Sequence, residues 1–237
     1  SLISSYLDTI AQQADSNGDG VVDHSPGSAE LAYHLDSMIS DFIDHHGMSD
    51  SAYASIHQDL MDHLGLDRVH LVGTSLGGWI AAELATCNST KLMSLTLVAP
   101  AGVSVEGVRW PDLFMWSPEE LTRKLFHDPQ IAKVMPKPAN DEEAMIALKN
   151  RLTTAKLGWS QRMHNPQLRK WLHRISVPTL IIWGDDDQLL PPAYGPAYRD
   201  LIPSSALHVI AQCGHLPHVE KAQEFVAKVT QFTKEAA

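Results

Sequence analysis

The chain has only two cysteines in 237 residues, Cys87 and Cys213, and they lie far apart. They cannot make a disulfide framework, and two buried free thiols are expected instead. Positive charge is scarce as well: 18 Lys and Arg stand against 28 Asp and Glu, a net charge of −10. A general affinity for nucleic acid or for an anionic membrane is therefore not expected. No apolar run approaches the roughly 18 to 20 residues of a membrane-crossing helix. The opening SLISSYLDTIAQQA lacks the basic and long apolar regions of a secretory signal. These absences together give the expectation of a cytoplasmic protein. Repeats and low-complexity segments are missing too, and the length suits one domain, or one domain carrying an insertion.

What is present begins with alternation. Residues 52 to 64 place Ile56, Leu60, Met61 and Leu64 on one helical face, and Gly65 stops the helix. RVHLVG (68 to 73) reads as a buried strand, GGWIAAELAT (77 to 86) as a helix packed closely on a sheet, and LMSLTLVA (92 to 99) as a second strand. Residues 103 to 174 then lose strand-like runs and gain helix starts. Ser117-Pro118-Glu119-Glu120 is a capping box, Asn140 or Asp141 can cap a second helix, and Asn165-Pro166 opens a third carrying Leu168, Trp171 and Leu172. Alternation resumes with strands TLIIW (179 to 183) and ALHVI (206 to 210). A helix over 219 to 232 follows, with Phe225, Val229 and Phe232 facing inward. This order predicts an α/β fold: a mostly parallel central sheet with helices on both faces and an inserted helical cap. The core is expected in 1–102 and 175–237 and the cap in 103–174, over the C-terminal strand ends.

Three strand ends carry chemistry. RVHLVG runs into Gly73-Thr74-Ser75-Leu76-Gly77, a G-x-S-x-G between a strand and a helix. Such a turn strains its central residue and projects the side chain. Flanking glycines are expected because a Cβ would clash. The Leu76 N–H, at the start of the new helix, suits a developing oxyanion. A serine needs a base, and the base needs an orienting acid. TLIIW ends in Gly184-Asp185-Asp186-Asp187, and ALHVI leads to Cys213-Gly214-His215. Serine, carboxylate and imidazole follow one another in that order.

The chain thus resembles the α/β-hydrolase superfamily, in its cap-bearing serine esterase, lactonase and C–C hydrolase group. The similar stretches are GLDRVHLVGTSLGGWIAAELA, VPTLIIWGDDDQLLPP and CGHLPHVEKAQEF, within about residues 44 to 237. The resemblance implies Ser75 as nucleophile, His215 as general base and Asp187, at the G-x-x-D position, as orienting acid, with Asp186 its rival. A serine at the elbow sets the chain apart from the related dehalogenases and epoxide hydrolases. No cofactor or metal is implied. The pocket above Ser75 is expected to draw on Thr74, Trp116, Trp159 and Met163. The reading is an esterase of small acyl substrates working through an acyl-enzyme, as monomer or homodimer. C–C hydrolysis of the meta-cleavage-product type is the alternative within the class, and a catalytically impaired binding protein the alternative outside it.

The first 50 residues depart from the pattern. Asp44-His45-His46-Gly47-Met48-Ser49 resembles one family turn, and His24-Ser25-Pro26-Gly27-Ser28 resembles the oxyanion loop with a glycine missing. The strands before them are compressed to Phe42-Ile43 and Val21-Val22. The Ser25 N–H is the expected second oxyanion donor, since Pro26 has none. Asp15-Ser16-Asn17-Gly18-Asp19-Gly20 mimics the start of a calcium loop, but its twelfth position is Pro26 instead of a bidentate carboxylate. His24, His45 and His46 match no zinc spacing.

Overall fold

The computed structural model describes residues 59, 61–110, 112–135, 137–159 and 163–236. The expected turns around His24–Ser28 and Asp44–Ser49, and Asp15–Gly20, lie outside them. Two compact units are formed. One takes in Asp67–Pro136 and Gly158–Ala237 and contains the sheet. The other takes in Lys137–Leu157.

Four described strands, β1 (Val69–Thr74), β2 (Leu92–Val98), β3 (Thr179–Gly184) and β4 (Ser205–Ile210), lie side by side in that order, all parallel. Parallel strands need crossovers, and those crossovers bring helices onto the sheet. Between β1 and β2 runs α1 (Leu76–Cys87). The long connection from β2 to β3 carries α2 (Pro118–Lys124), α3 (Pro129–Val134), α4 (Asp141–Trp159) and α5 (Leu168–Trp171). Then α6 (Tyr194–Leu201) joins β3 to β4, and α7 (Pro217–Glu220) and α8 (Ala222–Glu235) close the chain. Residues 103–174 hold no strand among the described residues, only helices, turns and one isolated bridge from Gly102 to His164.

Register decides which helix covers which face. Gly73, Leu97, Ile181 and Leu207 are successive partners across the sheet, so they share a face. A Cβ on Gly73 would meet Ala81 of α1, and one on Gly195 of α6 would meet Leu207, so both helices cover that face. On the other face Val98, Leu180, Ile182, Ile210 and Cys213 form a buried cluster against Phe225, Val229 and Phe232 of α8. These are the three inward residues expected of the last helix. Strand β3 is buried along its whole length, which is why TLIIW is an unbroken apolar run instead of an alternating one.

Caps explain the helix starts. Ser117 Oγ accepts the Glu120 N–H at 3.1 Å, with Pro118 at the first helical position. Asn140, not Asp141, caps α4: its Oδ1 accepts from the Glu143 N–H at 2.9 Å, while Glu143 Oε2 reaches back to the Ala139 N–H. Leu168 and Leu172 are fully buried, while Trp171 is 47% exposed. One expectation needs correction. Cys87 ends α1 on the surface, so only Cys213 is a buried thiol.

The glycines of the elbow are not equivalent. A Cβ on Gly73 would collide with the Gly77 carbonyl and lie 2.9 Å from Ala81 Cβ, whereas one on Gly77 would meet nothing within 4 Å. Gly78, one residue outside the pentapeptide, carries the second constraint: its Cβ would sit 2.8 Å from Pro100 Cβ. Gly73→Ala is expected to destabilise the fold by about 1–3 kcal/mol through overpacking. Gly77→Ala is expected to be neutral or to stabilise by up to about 1 kcal/mol, as for Gly to Ala in a helix. Denaturant unfolding of the two variants checks this, and equal losses would contradict it.

Candidate active site

The parallel register brings the three chemistry-bearing loops to one edge. Thr74 pairs with Val98, Val98 with Ile182, and Ile182 with His208, so β1, β2, β3 and β4 end together. Ser75 follows β1, residues 185–187 follow β3, and His215 follows β4.

Ser75 has φ 55° and ψ −116°, a backbone state that L side chains rarely adopt. Such strain costs on the order of 1–3 kcal/mol and persists only where the surroundings over-determine it. Here they do. The Ser75 N–H donates to Val98 O at 2.9 Å, and its carbonyl accepts from Trp79 N–H at 3.1 Å and Ala101 N–H at 3.0 Å. Ala101 is held in turn, since the buried Tyr198 hydroxyl donates to its carbonyl. Burial, and then the negative charge of Glu83, push the Tyr198 hydroxyl well above its ordinary pKa, so it stays a donor. As the first residue of α1, Leu76 has an N–H with no acceptor inside its own helix, at the positive end of the helix dipole.

The three aspartates separate cleanly. Asp187 is buried, and its Oδ2 lies 2.8 Å from Nδ1 of the buried His215. Its Oδ1 accepts the N–H groups of Leu189 at 2.9 Å and Leu190 at 2.8 Å. Asp186, the rival, points elsewhere: its Oδ2 pairs with His127 Nδ1 at 2.8 Å in a half-exposed contact. Asp185 accepts the Cys213 N–H at 3.3 Å. On the other side of the His215 ring, Nε2 is buried and makes no hydrogen bond among the described residues, so none joins it to Ser75 Oγ in this structure. Hydrogen bonds of this kind commonly tighten only once substrate is bound.

Neighbouring titratable groups are shifted by the same enclosure. The Cys213 thiol is pushed up to about 12, first by burial and then by the charge of Glu220, so it remains a neutral core group. His218 has its pKa lowered, first by burial and then by the charge that His215 would carry.

The expected pocket residues are more scattered. Thr74 ends β1 beside the elbow, half-buried. Met163 is buried with φ 58°, and its carbonyl accepts the Gly102 N–H at 3.0 Å, next to Ala101. Trp116 sits under Lys124, whose Nζ is 4.8 Å from the ring centroid. The Trp159 side chain and Ser25 lie outside the described residues, as do His24, His45 and His46. Among the described residues no group of His, Cys, Asp and Glu could hold a metal ion, and no helix is long and apolar enough to cross a membrane.

The model of the "Alpha/beta hydrolase family" matches residues 18–229. This chain belongs to that family. Among curated relatives, a 2-hydroxy-6-oxononadienedioate/2-hydroxy-6-oxononatrienedioate hydrolase of Pseudomonas sp is 28% identical over 210 residues, covering 77% of this chain and 69% of that protein. A 2-hydroxy-6-oxo-6-phenylhexa-2,4-dienoate hydrolase of Comamonas testosteroni is 28% identical over 201 residues, covering 74% and 66%. This α/β-hydrolase thus spans about two thirds of those relatives' lengths. Among solved structures, a meta-cleavage product hydrolase from Pseudomonas fluorescens IP01 superposes with a TM-score of 0.61 at 20% identity, over 80% of this chain and 73% of that one. A membrane phospholipase A gives a TM-score of 0.65 at 24% identity, over 80% and 64%. At these identities the superpositions establish the fold.

One residue of the site escaped the sequence reading. Glu220, in the last turn of α7, reaches both the His215 loop and the turn after α2. Its only signal was its place five residues after His215 in CGHLPHVEKAQEF.

Proposed function

We propose that this α/β-hydrolase cleaves a carbon–carbon bond in a 2-hydroxy-6-oxo-dienoate, the open-chain product of aromatic ring fission. The observation that carries the hydrolase chemistry is the buried His215–Asp187 pair, at the same sheet edge as the strained Ser75. The relatives' names supply the substrate class. Compounds of that class contain no ester, amide or anhydride bond. Water can therefore divide them only beside the ketone, between carbons 5 and 6. This favours the alternative within the sequence-based reading over the small-ester substrate.

The chemistry follows from where electrons can go. Moving the 2-hydroxyl proton to carbon 5 gives a 2,6-diketone. Ser75 Oγ adds to the carbon 6 carbonyl while His215 Nε2 takes its proton and Asp187 Oδ2 steadies the imidazolium. The Leu76 N–H faces the resulting oxyanion. Collapse breaks the bond between carbons 5 and 6. The electron pair passes into the 2-keto group as a dienolate, whose oxygen takes the proton from the His215 imidazolium, and the acyl group stays on Ser75. Water activated by His215 then releases a carboxylic acid. One substrate and one water give one 2-hydroxydienoate and one acid.

The test supplies a ring-fission dienol and a p-nitrophenyl ester side by side. Cleavage shortens the conjugated chromophore and can be followed by its absorbance. A kcat/KM for the dienol exceeding that for the ester by about 100-fold or more is expected, because discrimination reflects differential transition-state binding. Preference for the ester would overturn the reading in favour of a carboxylesterase.

A further inference from the structure

The geometry points to Glu220 as a positioning residue for His215, acting by bolting the turn Leu125–Asp128 onto the base loop. The inference rests on the reading of His215 as the general base. Glu220 is half-buried at the end of α7, and its carboxylate gathers three backbone donors from two segments, one nearby at Gly214 and one distant at His127 and Asp128. Oε2 accepts the Gly214 N–H at 2.6 Å and the His127 N–H at 3.1 Å, and Oε1 accepts the Asp128 N–H at 2.6 Å. Charge-assisted bonds of this length are among the strong ones.

The two segments it joins also touch directly. The His215 N–H donates to Leu125 O at 2.8 Å. A Cβ on Gly214 would lie 2.5 Å from Leu125 O, 2.8 Å from Phe126 Cα and 2.9 Å from His127 N. A Cβ on Gly184 would collide with the carbonyls of Cys213 and Gly214. The end of β3, the base loop and the turn after α2 are thus stacked backbone on backbone. Phe126 is 2% exposed and plugs the turn into the unit. His127 adds its contact to Asp186, next to the acid.

The consequence is geometric. His215 is fixed on one side by Asp187 through its ring and on the other by Leu125 through its backbone. Glu220 makes the second attachment rigid, because Gly214, free of a side chain, would otherwise let the loop pivot. Without Glu220, three N–H groups compete for water and the imidazole loses its aim at Ser75.

Two variants test this. Glu220→Ala removes both acceptor oxygens and with them all three hydrogen bonds. Glu220→Gln keeps the volume, but its amide N–H2 must oppose at least one backbone donor. The readouts are independent of any natural substrate: the rate of Ser75 labelling by a fluorophosphonate, and the far-downfield proton resonance of His215 Nδ1–H. Glu220→Ala is expected to slow labelling by about 10- to 100-fold, the scale set by small misplacements of reacting groups. Glu220→Gln is expected to fall between it and the wild type, and the downfield resonance to broaden or move in both. On substrate, kcat is expected to fall with KM little changed. Wild-type labelling and an unmoved resonance in Glu220→Ala would overturn the inference. If that variant does not fold, the same outcome in Glu220→Gln overturns it. If the wild type itself is not labelled, the proposed function fails, while the resonance still decides the role of Glu220.

Discussion

Replacing Ser75 with alanine is expected to lower turnover of the ring-fission dienol by about 10⁴-fold or more while leaving the fold intact, as when a nucleophile is removed from a coupled triad. The two halves of that expectation have separate causes. The rate falls because the hydroxyl carried by the elbow is gone, and water is left to attack unaided. Stability holds because the backbone, not the Oγ atom, ties Ser75 into the structure. Its N–H and carbonyl bonds to Val98, Trp79 and Ala101 survive the change. Alanine can occupy the left-handed region when its neighbours demand it, as Ala99 does nearby with φ 41°. The change in unfolding free energy is therefore expected within about 0.5 kcal/mol. Ser75→Gly provides the contrast. It loses activity equally but sheds strain of about 1 kcal/mol or more, raising the denaturation midpoint. Stopped-flow absorbance and urea unfolding measure both quantities. Turnover by Ser75→Ala at the wild-type rate would mean that the serine is not the nucleophile.

How far this site could be read in advance depends on how local each interaction is. The strands were legible because strands covered on both faces become continuous apolar runs, as TLIIW does in β3. The elbow was legible because its strain is written in five adjacent residues. Gly77 shows the limit: the spacing suggested a steric need, yet the crowding falls on Gly73 and Gly78, which face Ala81 and Pro100. Choosing Asp187 among three adjacent aspartates required resemblance, because the choice turns on where Leu189, Leu190 and His215 converge. Glu220 was invisible for a further reason. Its acceptors bind backbone N–H groups up to 93 positions away, and a backbone donor leaves no mark on residue identity. Cys87 was misplaced because an apolar helix end looks buried until its packing is known.

The second large effect is expected from Asp187→Asn, a loss of about 10⁴-fold in kcat like that seen when the acid of a serine triad is made neutral. The hydrogen bonds show why a single-atom change does so much. Two backbone donors, the N–H groups of Leu189 and Leu190, converge on Oδ1 at 2.9 and 2.8 Å. An asparagine must present its carbonyl oxygen there, since its amide would oppose both. Its N–H2 then faces His215 Nδ1, which has to accept instead of donate. The ring proton moves to Nε2, the atom that should take the proton from Ser75, and the base is blocked in the wrong tautomer. Asp186→Asn is the control. It disturbs only the contact with His127, in which both side chains are 40% or more exposed, and surface pairs of that kind are worth about 0–1 kcal/mol. Its kcat is expected to stay within about tenfold of wild type. The Nδ1–H resonance of His215 should vanish in Asp187→Asn and persist in Asp186→Asn. A reversal of that order, in rate or in spectrum, would transfer the orienting role to Asp186. It would also mean that the loop after β3 rearranges when substrate enters.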